Sequence, residues 1–149
     1  MRNRARQWFA GGIAASLATV AGAQSFQPGM WQTTNNVTDV TMPGAPPQVL
    51  AMMKRTTTIN HCVTPEEAAK NPRALMQTNK SCTITRFSMA GGHLDSAMSC
   101  QQQGGVMTMT SSGTYTPTSY AMISHMIMSG RSGMKMTARV NGKLTGPCK

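Results

Sequence analysis

The sequence predicts a mostly β fold, an antiparallel meander curled into a barrel or half-barrel, with one short helix and two disulfides. Three observations predict it. Segments of alternating apolar and polar residues rich in Thr, Val and Met recur along the 149 residues, Gly and Pro turn signals separate them, and only one stretch carries helix-start signals. All four cysteines lie beyond the first 60 residues.

Residues 1–23 read as a secretory signal peptide. Arg2, Arg4 and Arg6 come without an acid, Trp8 to Val20 is a run of apolar and small residues, and Ala21-Gly22-Ala23 is a small-x-small cleavage site. The run is short for a bilayer span, which takes about 20 residues, and no Cys follows the site to accept a lipid. The expectation is a periplasmic or secreted protein, cleaved near Ala23. Its mature part, 24–149, is then a single domain with no transmembrane segment.

Seven strands are expected, over about 29–40, 54–63, 82–89, 93–101, 106–115, 119–128 and 134–140. The last is the cleanest, because its even positions Met134, Met136, Ala138 and Val140 are apolar while Lys135, Thr137 and Arg139 face the other way. Gly91-Gly92, Gly104-Gly105, Pro117-Thr118 and the stretch Gly130 to Gly133 supply short turns, so sequential neighbours should pair as hairpins. The Pro-rich loop from Met42 to Pro47 interrupts this pattern, since Pro has no N–H for a central ladder. The helix is expected just after Cys62: Thr64 caps, Pro65 suits the first helical position, Glu67 completes a capping box, and Asn71-Pro72 stops it.

An exported protein meets an oxidising environment, so Cys62, Cys82, Cys100 and Cys148 are expected as two disulfides. Four cysteines allow three connectivities. The pairing favoured here is Cys62 with Cys82, closing over the helix, and Cys100 with Cys148, pinning the C-terminus. A zinc site is disfavoured because no C-x-x-C pair is present.

The apolar inventory is unusual. Beyond Met1 there are fourteen Met, as many as the Val, Ile and Leu of residues 24–149 combined, so the core must be rich in thioether. Met packs adaptably and specifies shape poorly, which leaves rigidity to the disulfides. Lys and Arg number 14 against 4 Asp and Glu, a net charge of +10. General surface electrostatics accounts for that balance more simply than a dedicated nucleic-acid or membrane site.

With the elements in place, the order of motifs resembles a bacterial exported family known as domain of unknown function 3617. Members carry a signal peptide, a G-L-W-E motif, a Pro/Met-rich loop, a C-L-T-P-E helix start, further Cys and a G-x-C terminus. The corresponding residues are Gly29-Met30-Trp31-Gln32, Met42 to Pro47, Cys62-Val63-Thr64-Pro65-Glu66 and Gly146-Pro147-Cys148, with Met30, Gln32 and Val63 departing from the pattern. Gln32 removes one candidate acidic site residue. The resemblance implies the fold outline and the disulfides, makes Trp31 a shared core anchor, and implies no established activity.

The titratable kit is thin. Four acids and three His are scattered, Glu66 and Glu67 are explained by the positive end of a helix dipole, and no G-x-S-x-G, H-E-x-x-H or phosphate loop is present. No catalytic residue and no cofactor are assigned, and the chain is read as non-catalytic. Aromatic and basic residues are not interleaved, so no nucleic-acid partner is expected. Met gives the sharper hypothesis: Met107 and Met109, Met126 and Met128, and Met134 and Met136 form three M-x-M pairs, with His125 beside Met126. Alternate strand residues share a face, and thioethers select soft ions such as Cu(I). Period-two Met is also what a β core short of Leu and Ile looks like, and His125 points away from its Met neighbours on a regular strand. The core reading is therefore preferred, no metal is assigned, and ligand-binding residues are left open. The sequence reading is an envelope-associated structural or protein-interaction module. Its alternative is a binding module for a small apolar ligand or a soft metal through the Met-rich strands.

Overall fold

A computed structural model describes residues 25–70, 72–73, 80–130 and 133–148. The signal peptide expected over 1–23 lies outside the described residues, as do Asn71 of the expected helix stop and residues 131–132 of the last turn.

The seven strands are β1 (Gly29–Thr41), β2 (Thr56–Val63), β3 (Cys82–Ala90), β4 (His93–Gln102), β5 (Gly105–Thr116), β6 (Ser119–Met128) and β7 (Lys135–Gly146). Two helices lie wholly within the described residues: α1 (Pro47–Met53) and α2 (Pro65–Ala69). All strand pairs are antiparallel, and the order across the sheet is β2-β1-β7-β6-β5-β4-β3. The expected meander holds from β3 to β7. β1 and β2 also pair as sequential neighbours, so the meander is interrupted only between β2 and β3, and β1 takes β7 as its second partner. Because β2 and β3 are the two edges, the sheet among the described residues is open, compatible with a half-barrel and not with a closed one.

Hairpin chemistry explains the local pairing. Gly91 and Gly92 both have positive φ, +59° and +78°, as the two central residues of a type I′ turn require, and Ala90 faces His93 across it. At the β5–β6 turn Thr116 Oγ1 accepts from the backbone N–H of Thr118 (3.2 Å) and Ser119 (3.0 Å). β7 runs six residues past the expected end at Val140, through Gly142, because β1 offers it a full-length partner. Register shifts at Val37/Asp39 in β1 and Ile84/Arg86 in β3 mark bulges, which bend their strands and raise local twist.

Helix α2 forms where the capping signals place it. Thr64 Oγ1 accepts from the Glu67 backbone N–H at 3.2 Å, and the Glu67 carboxylate accepts from the Thr64 N–H at 2.9 Å. Helix α1 was not anticipated, because Pro46 and Pro47 read as loop. Pro47 is instead the first helical residue, the position where a missing N–H costs nothing, and Gln48 to Met53 are compatible helix formers.

The disulfides pair differently from expectation. Cys62 bonds Cys148 and Cys82 bonds Cys100. Cys82 and Cys100 sit directly opposite each other in the β3–β4 hairpin, with Cα atoms 3.9 Å apart. Met30 at the start of β1 has Cys62 of β2 on one side and Gly146 of β7 on the other, which leaves Cys148, two residues on, beside Cys62. The expected pairing closed Cys62 with Cys82 over the helix and pinned the C-terminus through Cys100; the β3–β4 hairpin takes Cys100 for Cys82, and the β1–β7 pairing leaves Cys148 to Cys62.

The core lies on one face of the sheet. Phe26, Trp31, Tyr115 and Tyr120 form an aromatic cluster, with Phe26 ring centroids 5.2 Å from Trp31, 5.9 Å from Tyr115 and 5.8 Å from Tyr120. Trp31 is 4 % exposed and its indole N–H donates to the Gln27 carbonyl at 2.9 Å, consistent with the anchor role that the motif implied. Tyr120 lies across Gly142 on β7 and its hydroxyl shares a 2.7 Å hydrogen bond with Thr33 on β1. A Cβ at Gly142 would run into the Tyr120 ring, so this position requires glycine.

In the chain-entropy account a disulfide stabilises more when it closes a longer loop. Replacing Cys62 and Cys148 by Ser, which opens a separation of 86 residues, should cost about 4–5 kcal/mol. The Cys82/Cys100 pair, separated by 18 residues, should cost about 3 kcal/mol. Urea midpoints of the two double variants check the order, and non-reducing peptide mapping checks the connectivity.

Candidate functional site

Register assembles the candidate residues into rows. Ile84, Met98, Met109, Met126, Met136 and Val40 stand opposite one another across β3, β4, β5, β6, β7 and β1. Four thioethers on four adjacent strands are thus brought side by side, at a strand spacing of about 4.8 Å. The next row holds the Cys82–Cys100 disulfide, Met107 and Met128. Met98 Sδ lies 3.9 Å from Cys100 Sγ. On the other side comes a row of small residues, Ser96, Ser111, Ser124 and Ala138, where Ser111 and Ser124 share a 2.7 Å hydrogen bond. Beyond it Met89, Leu94, Gly113, Met122, Val140 and Asn35 continue the same face.

Eight Met therefore share one face among the described residues: Met89, Met98, Met107, Met109, Met122, Met126, Met128 and Met136. Every one of them is half-buried and none is buried outright. Buried positions on this face belong to Val40, Ile84, Leu94, Cys100 and Tyr115. A groove of about 480 Å3 opens beside Met136, lined by Val49, Met52, Met53 and Arg55 of α1 and its C-terminal turn. Asn35 Oδ1 is buried on this face with no hydrogen-bond partner.

Of the residues singled out in the sequence, Met107, Met109, Met126, Met128 and Met136 come together. Met134 precedes β7, and its carbonyl accepts from the Met128 N–H at 2.8 Å, which sets it beside Met128 at the end of the β6–β7 ladder. His125 does not join them. It faces the opposite side of β6, with Nδ1 3.1 Å from Thr137 Oγ1. Met89, Met98 and Met122 were missed because they stand outside any M-x-M pair, although strand alternation with the β3–β4 and β5–β6 hairpin registers would have placed them.

Titratable groups do not converge. Among the described residues no three His, Cys, Asp or Glu gather where they could hold a metal ion. Asp39 pairs with Lys54 at 3.5 Å. The Glu67 carboxyl is held below the usual carboxylate range, chiefly by the Thr64 backbone N–H that it accepts, with the Thr64 side chain, His61 and Lys70 adding smaller effects.

The matched profile decides the family. Residues 26–148 match the model described as protein of unknown function DUF3617. The chain belongs to the DUF3617 family. Comparison with curated proteins and with solved structures gave no match. The DUF3617 match spans every strand, both disulfides and the Met face. The disulfides fit a non-reducing, extracytoplasmic setting, and among the described residues no helix is long and apolar enough to cross a membrane.

A carboxyl whose folded value is depressed contributes stability that is present above its unfolded pKa and lost as pH falls through the folded one. The Thr64–Glu67 cap should therefore hold α2 at neutral pH and release it in acid below the ordinary carboxylate range. Protection of the Ala68 and Ala69 amides, taken relative to unstructured-chain exchange at each pH from neutral to acid, checks this: it should fall in acid in the native protein and stay level with pH in Glu67→Gln.

Proposed function

We propose that the protein is an exported, non-catalytic protein-interaction module of the cell envelope, whose thioether face holds apolar segments of a polypeptide partner. The observation that carries the reading is the set of eight half-buried Met on one face of an open sheet. Met has an unbranched, polarizable side chain that re-packs around apolar groups of different shape, a property that suits promiscuous binding surfaces. The backbone beneath is tied by two disulfides and a continuous hydrogen-bonded ladder, so adaptability resides in side chains.

The edges support the same reading. β2 ends the sheet, is exposed along most of its length and contains no Pro or charged residue to discourage pairing, so an extended segment can add to it. Export is supported by the charge and hydropathy pattern of residues 1–23 and by the disulfides. The non-catalytic reading is supported by how the acids are used: Asp39 in an ion pair, Glu67 in a cap.

A second reading is favoured by the row Met98–Met109–Met126–Met136, which offers sulfur ligands to a soft monovalent cation such as Cu(I) or Ag(I). The two readings separate on one pair of substitutions. Met109→Leu with Met126→Leu keeps the apolar surface, at a folding cost of about 1.5 kcal/mol or less, and removes two sulfurs. Fluorescence anisotropy with labelled apolar peptides should show binding to the native protein, retained in this variant and lost in Met109→Thr with Met126→Thr. Absence of peptide binding by the native protein overturns the interaction reading. Silver affinity present in the native protein and lost in the Leu variant would establish the metal reading.

A further inference from the structure

The opposite face of the sheet has a different chemistry. Side chains of β7 that point away from the Met face are Lys135, Thr137, Arg139, Asn141 and Lys143, and the three cations recur every fourth residue, about 13 Å apart. All three are exposed, and among the described residues none forms an ion pair. Their register partners on β6 include the two largest apolar side chains left open on this face: Lys135 stands opposite Ile127 and Arg139 opposite Ile123, 47 % and 44 % exposed. A shallow groove of about 360 Å3 runs beside them, lined among others by Arg139, Asn141, Ser112, Thr114 and Ile123. Two acids border the area. Asp39, opposite Thr137, is paired with Lys54, and Asp95 lies two strands away from Ile123 across β5.

We propose that this outer face of β5, β6 and β7 binds the surface of a membrane containing anionic phospholipid, with Arg139 in the groove taking a headgroup phosphate. A guanidinium flanked by an amide and two hydroxyls matches the oxygens of a phosphodiester. Ile123 and Ile127, standing beside the cations, enter the boundary between headgroups and acyl chains, the arrangement that gives peripheral surfaces their combined electrostatic and apolar attachment. Residues 24–149, left after the expected cleavage, hold eleven Lys and Arg against four acids, an excess that adds long-range attraction to an anionic leaflet. Nucleic acid fits this surface less well, because no described aromatic residue of β5–β7 lies on it; Tyr115 and Tyr120 belong to the core face.

The surface is separate from the Met face, so the fate of the polypeptide reading does not decide this one. Co-sedimentation of the purified protein with vesicles of phosphatidylglycerol and phosphatidylcholine, and with phosphatidylcholine alone, tests it. The protein should partition to the anionic vesicles, and raised salt should weaken binding. Lys135→Gln with Arg139→Gln should lower the partition coefficient about 30-fold. Ile123→Ser with Ile127→Ser should lower it as well. Near-UV circular dichroism confirms that each variant keeps the fold. Equal partition to neutral vesicles, unchanged partition of the Lys135/Arg139 variant, full competition by millimolar inorganic phosphate, or preference for a DNA oligonucleotide would each overturn the proposal.

Discussion

The insertion of β1 between β2 and β7 is the constraint on which the rest of this structure depends. β1 is thirteen residues long and pairs on both edges, the β7 side running from Met30 opposite Gly146 to Thr41 opposite Lys135. That contact joins the two ends of the domain, and loop closure over such a separation is entropically unfavourable until many ladder bonds form together. Once formed, it aligns Cys62 with Cys148 and stacks Trp31 on Tyr120 across the side-chain-free position of Gly142.

Thioether abundance gives the sheet its second character. A face filled by Leu and Ile would commit each position to a few rotamers, whereas Met leaves the same volume occupied by side chains that can rearrange. Order is supplied elsewhere on that face, by the aromatic cluster around Phe26 at one end and the Cys82–Cys100 disulfide at the other. The Met rows lie between these two fixed points. On the opposite face, β7 presents cations and β6 presents Ile123 and Ile127, so one pair of strands supplies both surfaces through the two-residue period of the pleat.

Much of the site was legible because strand alternation is a local property. Met107, Met109, Met126, Met128 and Met136 fall on one face as their spacing requires, and His125 falls on the other. Met98 and Met122 carried no paired neighbour in sequence and entered the site only through cross-strand register. Helix α1 was hidden by its prolines, which signal a loop and a helix start with the same letters.

The sequence by itself determined the strand-rich class, the seven strand positions, the capped helix after Cys62 and the number of disulfides. These follow from alternation, turn residues and composition, all of which act within a few residues of chain. The thioether-rich core that the sequence predicted is instead a half-buried Met face, with the buried positions held by Trp31, Val40, Ile84, Leu94, Cys100, Tyr115 and Ala138. Tertiary structure alone decided which cysteines pair, that the sheet stays open, and that four Met from four strands form one row. Each of these depends on which strand lies beside which, and the β1–β7 pairing joins segments that carry no mark of one another in the sequence.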